Sequence, residues 1–191
     1  MNKFILDKYE CLITEYCMKS ESTNPLKMAY DIMQLEYTRM HGPEHHYVTA
    51  AVLITAYCNE RKILLEKEAL LKKVFYRTDM IQAGTCGFYG VCGDVQAVGA
   101  AVSLLLKATP YSGLEVKLVN KITAKCQEKM AYFEGPRCCK RATFLNVSEA
   151  ANCMNEIIGT SLKIERSVIC DFSPKNETCA KCKCPFYKRN K

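Results

Sequence analysis

The residues in this chain best suited to chemistry are its cysteines and histidines, and they are grouped. Near the C-terminus stand Cys170, Cys179, Cys182 and Cys184, spaced C-x8-C-x2-C-x-C and followed by Pro185. Four thiols within fifteen residues, in a stretch with little apolar content, suggest a folding constraint other than a hydrophobic core. Tetrahedral thiolate sites hold zinc, and four thiolates also hold iron–sulfur clusters. The spacing selects neither, and free thiols fit it as well. Cys86 and Cys92 form a second group in the glycine-rich stretch AGTCGFYGVCGDVQAVGAAVSLLLKATP, residues 83–110. Cys138–Cys139 is a third, set between Arg137 and Lys140–Arg141. The only histidines, His41, His45 and His46, fall within six residues.

Each group stands where a helix is expected to begin. Gly84, Gly87, Gly90 and Gly93 let the backbone turn tightly, and an apolar helix opens near Asp94 and stops before Pro110. His45 and His46 follow Gly42–Pro43 at the start of another helix, whose stretch Val48–Cys58 is apolar nearly all round and belongs at the centre of the fold. Cys138–Cys139 opens a helix running to Ile158 and ended by Gly159. Unsatisfied N–H groups at a helix start favour a thiolate, as do flanking cations. Cys86, Cys92, Cys138 and Cys139 are therefore candidate reactive thiols, with His45 as a ligand or proton donor. The alternative is a tight helix corner with buried thiols. His41, His46, Gly87, Gly90 and Gly93 are candidates to face a bound cofactor. If the helix starts converge, they form one electropositive pocket for an anion, a metal or a cofactor. His41 to His45 also spells the H-x-x-E-H pattern of a metalloprotease class, but Gly42–Pro43 puts His41 outside the helix, so the two rings do not share a face.

The remaining elements follow from periodicity. Amphipathic helices are expected over Lys3–Lys19, with Phe4, Ile5, Leu12 and Ile13 inward, and over Pro25–Arg39, with Asn24 as cap and Leu26, Ala29, Ile32, Met33 and Leu35 inward. Two more are expected over Leu64–Phe75 and Gly113–Tyr132. Ser161–Ile169 reads as a short strand or extended segment. The expectation is all-α: one helical domain of six or seven helices over residues 1–159, with an irregular cysteine-rich C-terminal cap over 160–191 packed on it.

Composition narrows the classes. The net charge is +7, part of it local to Lys181, Lys183, Lys188, Arg189 and Lys191, which argues against a nucleic-acid partner. Lys117, Lys121, Lys125 and Lys129 form a basic ridge that reads as a solvated face. No apolar run reaches the roughly 20 residues that a membrane helix needs. The thirteen cysteines are an odd count, and the charged stretch Met1–Glu10 does not read as a secretory signal, so a cytoplasmic location is expected. Metal or redox chemistry then fits better than a disulfide framework.

Four motifs together, MHGPEHH, GTCGFYGVCGDVQAVGAA, GPRCCKRA and CDFSPKNETCAKCKCPFY, resemble an uncharacterised family over roughly residues 40–187. Its members occur alone or fused to S-adenosylmethionine-dependent methyltransferases in anaerobic microbes. GVCGDVQAVGA is also similar to a group of redox-active helical proteins with a C-GCAxxG-C-C pattern, Asp94 standing where that pattern has alanine. The resemblance implies a fold and a set of site residues without an assigned reaction. The expectation is a metal- or iron–sulfur-binding protein, the cofactor being a cluster or zinc. It would handle thiol redox or sulfur or methyl groups. The alternative is a non-catalytic module that partners a methyltransferase or radical enzyme, with structural zinc or free thiols.

Overall fold

The computed structural model describes residues 3–35, 37–164 and 168–188, with side chains from residue 9 onward. Among them are eight α-helices: α1 Lys3–Lys19, α2 Pro25–Met33, α3 Glu44–Arg61, α4 Leu64–Asp79, α5 Thr85–Phe88, α6 Gly93–Leu105, α7 Leu114–Ala131 and α8 Cys139–Ile158. Two 3-10 turns follow, Ser173–Lys175 and Lys181–Lys183. The extra helix relative to expectation is α5, a single turn inside the glycine loop. No strand occurs among the described residues. Ser161–Ile164 and Val168–Ile169 are irregular, and 165–167 lie outside the description.

The fold is organised around α3. Every residue from Glu44 to Ala56 is buried, and the helix packs against α1, α2, α4, α6 and α8. An all-round apolar helix has no face to give to water, so it takes the centre. Full burial of each of Val48, Val52, Leu53 and Ile54 contributes about 1.5–3 kcal/mol. Helix α6 lies between α3, α7 and α8, and on α7 Ile122 and Cys126 are buried while Leu114 is exposed.

Asn24 caps α2 by accepting from the Lys27 N–H at 3.0 Å, with Pro25 in the first turn. That helix stops at Met33 instead of reaching Arg39: Gln34 closes it, and the Thr38 hydroxyl donates to the Ile32 carbonyl at 3.0 Å. Leu35, expected to face inward, is consequently exposed. Leu12 is partly exposed and Ile13 is buried, while the side chains of Phe4 and Ile5 lie outside the description. Among the described residues no helix is long and apolar enough to cross a membrane.

The C-terminal segment packs on α2 and α8 through aromatic rings. Phe172 and Phe186 meet Phe144 of α8 at centroid distances of 6.4 and 5.2 Å, and Phe172 meets Tyr30 of α2 at 6.1 Å. Tyr30 also donates a hydrogen bond to Asp171. The Cys170 N–H donates to the Phe186 carbonyl at 2.7 Å, closing the segment on itself.

Candidate functional site

Three helix starts meet. Gly42–Pro43 and His46 before and in α3, Cys86 in α5, Cys92 and Asp94 at the start of α6, and Cys138 and Cys139 at the start of α8 line one pocket of about 310 Å³. These residues are far apart in sequence, and the packing of α6 and α8 on α3 brings them together. His45 is not among them. It is fully buried, with Nδ1 3.0 Å from the Gly42 carbonyl oxygen and Nε2 without a partner. Its neighbour His46 takes the place at the pocket.

His46 is 9% exposed, and its Nδ1 has no hydrogen-bond partner. Burial lowers its pKa to about 4, so the ring is neutral at physiological pH and able to donate a lone pair. It packs directly over Gly93, where a Cβ would stand 2.1 Å from the His46 Nε2. Gly93 is therefore required by close approach. Gly90 has φ of 68°, the left-handed region, whereas Gly87, which lines the pocket, has open space around it.

Asp94 lies behind the thiols and is 2% exposed. Its carboxylate accepts from Thr49 of α3 at 3.1 Å and from Thr143 of α8 at 3.3 Å, so one side chain ties three helices. Burial pushes its carboxyl up to about 7, against the two hydroxyl hydrogen bonds. The sequence reads Asp94 as the residue that opens α6, whereas Cys92 stands at the cap and Asp94 is buried in the first turn. Its burial follows from α6 being enclosed, which only the tertiary packing reveals.

The thiols behave differently from the helix-start expectation. Burial, helped by Asp94, pushes both Cys92 and Cys139 up to about 12. Cys138 is also raised by burial, in spite of the Arg141 N–H and guanidinium. Desolvation of the charged form outweighs the helix-end field here. All thirteen cysteines are free.

Cys138 borders a second space as well. Together with Cys170, Cys179 and Cys184 it lines a cavity of about 20 Å³ between α8 and the C-terminal segment. Its sulfur accepts from the Arg141 N–H at 3.5 Å, as the cap of α8, and from Asn176 Nδ2 at 3.7 Å. The Cys179 sulfur accepts from the Lys181 N–H at 3.4 Å. Cys182, the fourth thiol of the sequence run, is exposed and does not line this cavity. It sits in the 3-10 turn after Ala180, where Lys181 has φ of 47°.

His41 lines a different and larger cleft of about 570 Å³, with Tyr9, Arg39, Glu44 and Tyr47. Glu44 is held there in a fork by Arg39, Nε to Oε1 at 3.1 Å and Nη2 to Oε2 at 2.6 Å. His41 lies before α3, so it and His45 share no helix face. Arg137, exposed, lines both this cleft and the helix-start pocket. Among the described residues, no group of three or more His, Cys, Asp or Glu side chains is already gathered so that it could hold a metal ion.

Fold and site together define an all-α, cysteine-rich protein with a thiol-lined pocket at its helix starts. The chain belongs to the Family of unknown function (DUF5714), which it matches over residues 13–187. No curated protein and no solved structure matches it.

Proposed function

We propose that this protein binds an iron–sulfur cluster in the helix-start pocket, with Cys86, Cys92 and Cys139 as thiolate ligands and His46 as the fourth donor. The observation that carries the reading is the donor set. Cys86, Cys92 and Cys139, with Cys138 in the wall shared with the smaller cavity, and a buried imidazole whose Nδ1 has no hydrogen-bond partner line one space of about 310 Å³. Thiolate and imidazole are the ligands that iron–sulfur centres take.

In a four-iron cluster each iron takes one protein ligand. Cluster ligands therefore stand further apart than the ligands of one ion, and a wide pocket suits them better than a tight one. The raised thiol pKa values do not oppose this, because a coordinated thiol is deprotonated outright. A cluster bound here would supply one-electron transfer. The chain itself supplies the rest: Gly93 gives the His46 ring its space, the Asp94 carboxyl holds three helices in register behind the thiols, and Arg137 gives the entrance a positive field.

The test is iron, acid-labile sulfide and visible absorbance on protein purified without oxygen. Wild type is expected to hold iron and sulfide in equal amounts with a broad visible band, and Cys92→Ser and Cys139→Ser to lose both. Wild-type protein without sulfide, or variants that keep the band, would overturn the reading.

A second reading has support in Phe88 and Tyr89, 74% and 70% exposed beside Cys86. Two exposed rings next to a pocket mouth suit a docking partner. The partner in this reading is a methyltransferase, as the resemblance implies, or a radical enzyme. Co-purification lost on Phe88→Ser would support it.

A further inference from the structure

We propose that Cys138, Cys170, Cys179 and Cys184 form a separate tetrathiolate site for a single zinc ion, which fastens the C-terminal segment to α8, and that Cys182 takes no part in it. This site adjoins the cluster pocket, with Cys138 and Arg141 in the wall between them, but it shares no proposed ligand with the pocket and does not depend on it.

Four observations point the same way. First, size: a cavity of about 20 Å³ has room for one water-sized occupant. A single zinc ion with Zn–S bonds of about 2.3 Å fits that scale, and a cluster does not. Second, two of the four sulfurs already accept N–H hydrogen bonds, from Arg141 and Asn176 to Cys138 and from Lys181 to Cys179. Donors aimed at sulfur stabilise the thiolate form and orient metal ligands.

Third, two cations are buried close to these sulfurs and neither makes an ion pair with a carboxylate among the described residues, Glu44 acting on Lys140 only at longer range. Lys140 is 1% exposed, and its Nζ reaches only the carbonyls of Met33 and Thr38, at 3.2 and 3.5 Å, and the Phe172 ring at 4.6 Å. Arg141 is 6% exposed, donates to the carbonyls of Glu134 and Pro136, and has an Nε with no partner. Buried cations ordinarily have a counter-charge. Four thiolates around one divalent ion carry a net double negative charge and would supply it to both. Fourth, the segment's own core is small, Phe172 and Phe186 on Phe144, so a metal gives it the constraint that its apolar content lacks.

The sulfurs are not gathered at ligand spacing, so binding has to draw them inward around the ion. Neutral thiols have no reason to crowd together without it.

The experiment is thiol footprinting of the full chain, zinc-free and with one equivalent of zinc, read by mass spectrometry. Zinc is expected to slow alkylation of Cys138, Cys170, Cys179 and Cys184 at least tenfold and to leave Cys182 and Cys86 unchanged. Protection of Cys182 in place of Cys138, or no protection of the four, would overturn the proposal. Protection of Cys86, Cys92 and Cys139 instead would place the zinc in the pocket and overturn it too. Zinc content gives an independent check that holds whether or not iron is found: Cys182→Ser keeps one zinc per chain and Cys138→Ser loses it.

Discussion

Cys138 and Cys139 share a peptide bond, and their sulfurs meet different surroundings. That of Cys138 has Asn176, Cys179 and Cys184 as neighbours across a cavity of about 20 Å³. That of Cys139 has Asp94 and the Gly42 N–H beside a pocket of about 310 Å³. The small cavity is made of C-terminal turns close in sequence set against the start of α8, and aromatic packing closes it. The pocket is made of residues nearly a hundred positions apart, His46 to Cys139, held by three long helices. One region depends on a local chain path and the other on the whole bundle, so damage to one should leave the other largely intact.

The largest expected effect is Phe172→Ala. Phe172 is 5% exposed and lies between Tyr30, Phe144 and the Lys140 ammonium. Its truncation should cost about 3–5 kcal/mol, seen in thermal melts and as faster hydrogen exchange over residues 168–188. The pocket should keep its iron, and loss of that iron would break the separation of the two regions.

Next comes Gly93→Ala. The added methyl would meet the His46 ring, and overpacking of this kind costs about 1–3 kcal/mol. Iron should fall while zinc stays, as measured by metal analysis. Asp94→Ala removes the acceptor of two buried hydroxyls, Thr49 and Thr143. A loss of about 1–3 kcal/mol is expected in denaturant unfolding, with Asp94→Asn recovering part of it through its remaining oxygen.

The smallest effect concerns a buried cation outside both regions. Lys67 is 3% exposed and donates to the carbonyls of Cys17 and Ser20. Burial lowers its pKa, so the folded state releases the proton before the unfolded chain does. The sign follows: stability from this group is present above the unfolded value of about 10.4 and is lost as pH falls through the folded value. Wild type should therefore gain stability relative to Lys67→Met as pH rises towards about 10.4, in melts across that window.

The contrast also explains what could be read from sequence. Helices α1, α7 and α8 follow from periodicity and caps to within a residue at each end, because each has a clear apolar stripe or a stop signal. The centrality of α3 follows from its lack of a polar face. Three of the four thiols of the small cavity were legible because they are neighbours in the chain. Cys138 was not, since its place there depends on where α8 begins against the C-terminal segment. Cys182 departs from its three neighbours. Its C-x2-C spacing nominates it, yet the turn with Lys181 in the left-handed region leaves it exposed. The pairing of Asp94 with Thr49 and Thr143 and the choice of His46 over His45 are likewise tertiary. Adjacent histidines on a helix point about 100° apart, and only the packing of α6 decides which one meets the pocket.

The most direct measurement is anomalous X-ray scattering at the iron and zinc edges, from crystals grown without oxygen. Two separate peaks are predicted: zinc among Cys138, Cys170, Cys179 and Cys184, and iron among Cys86, Cys92, Cys139 and His46. A single metal site bridging Cys138 and Cys139, zinc bound through Cys182, or no anomalous peak at either place would contradict it.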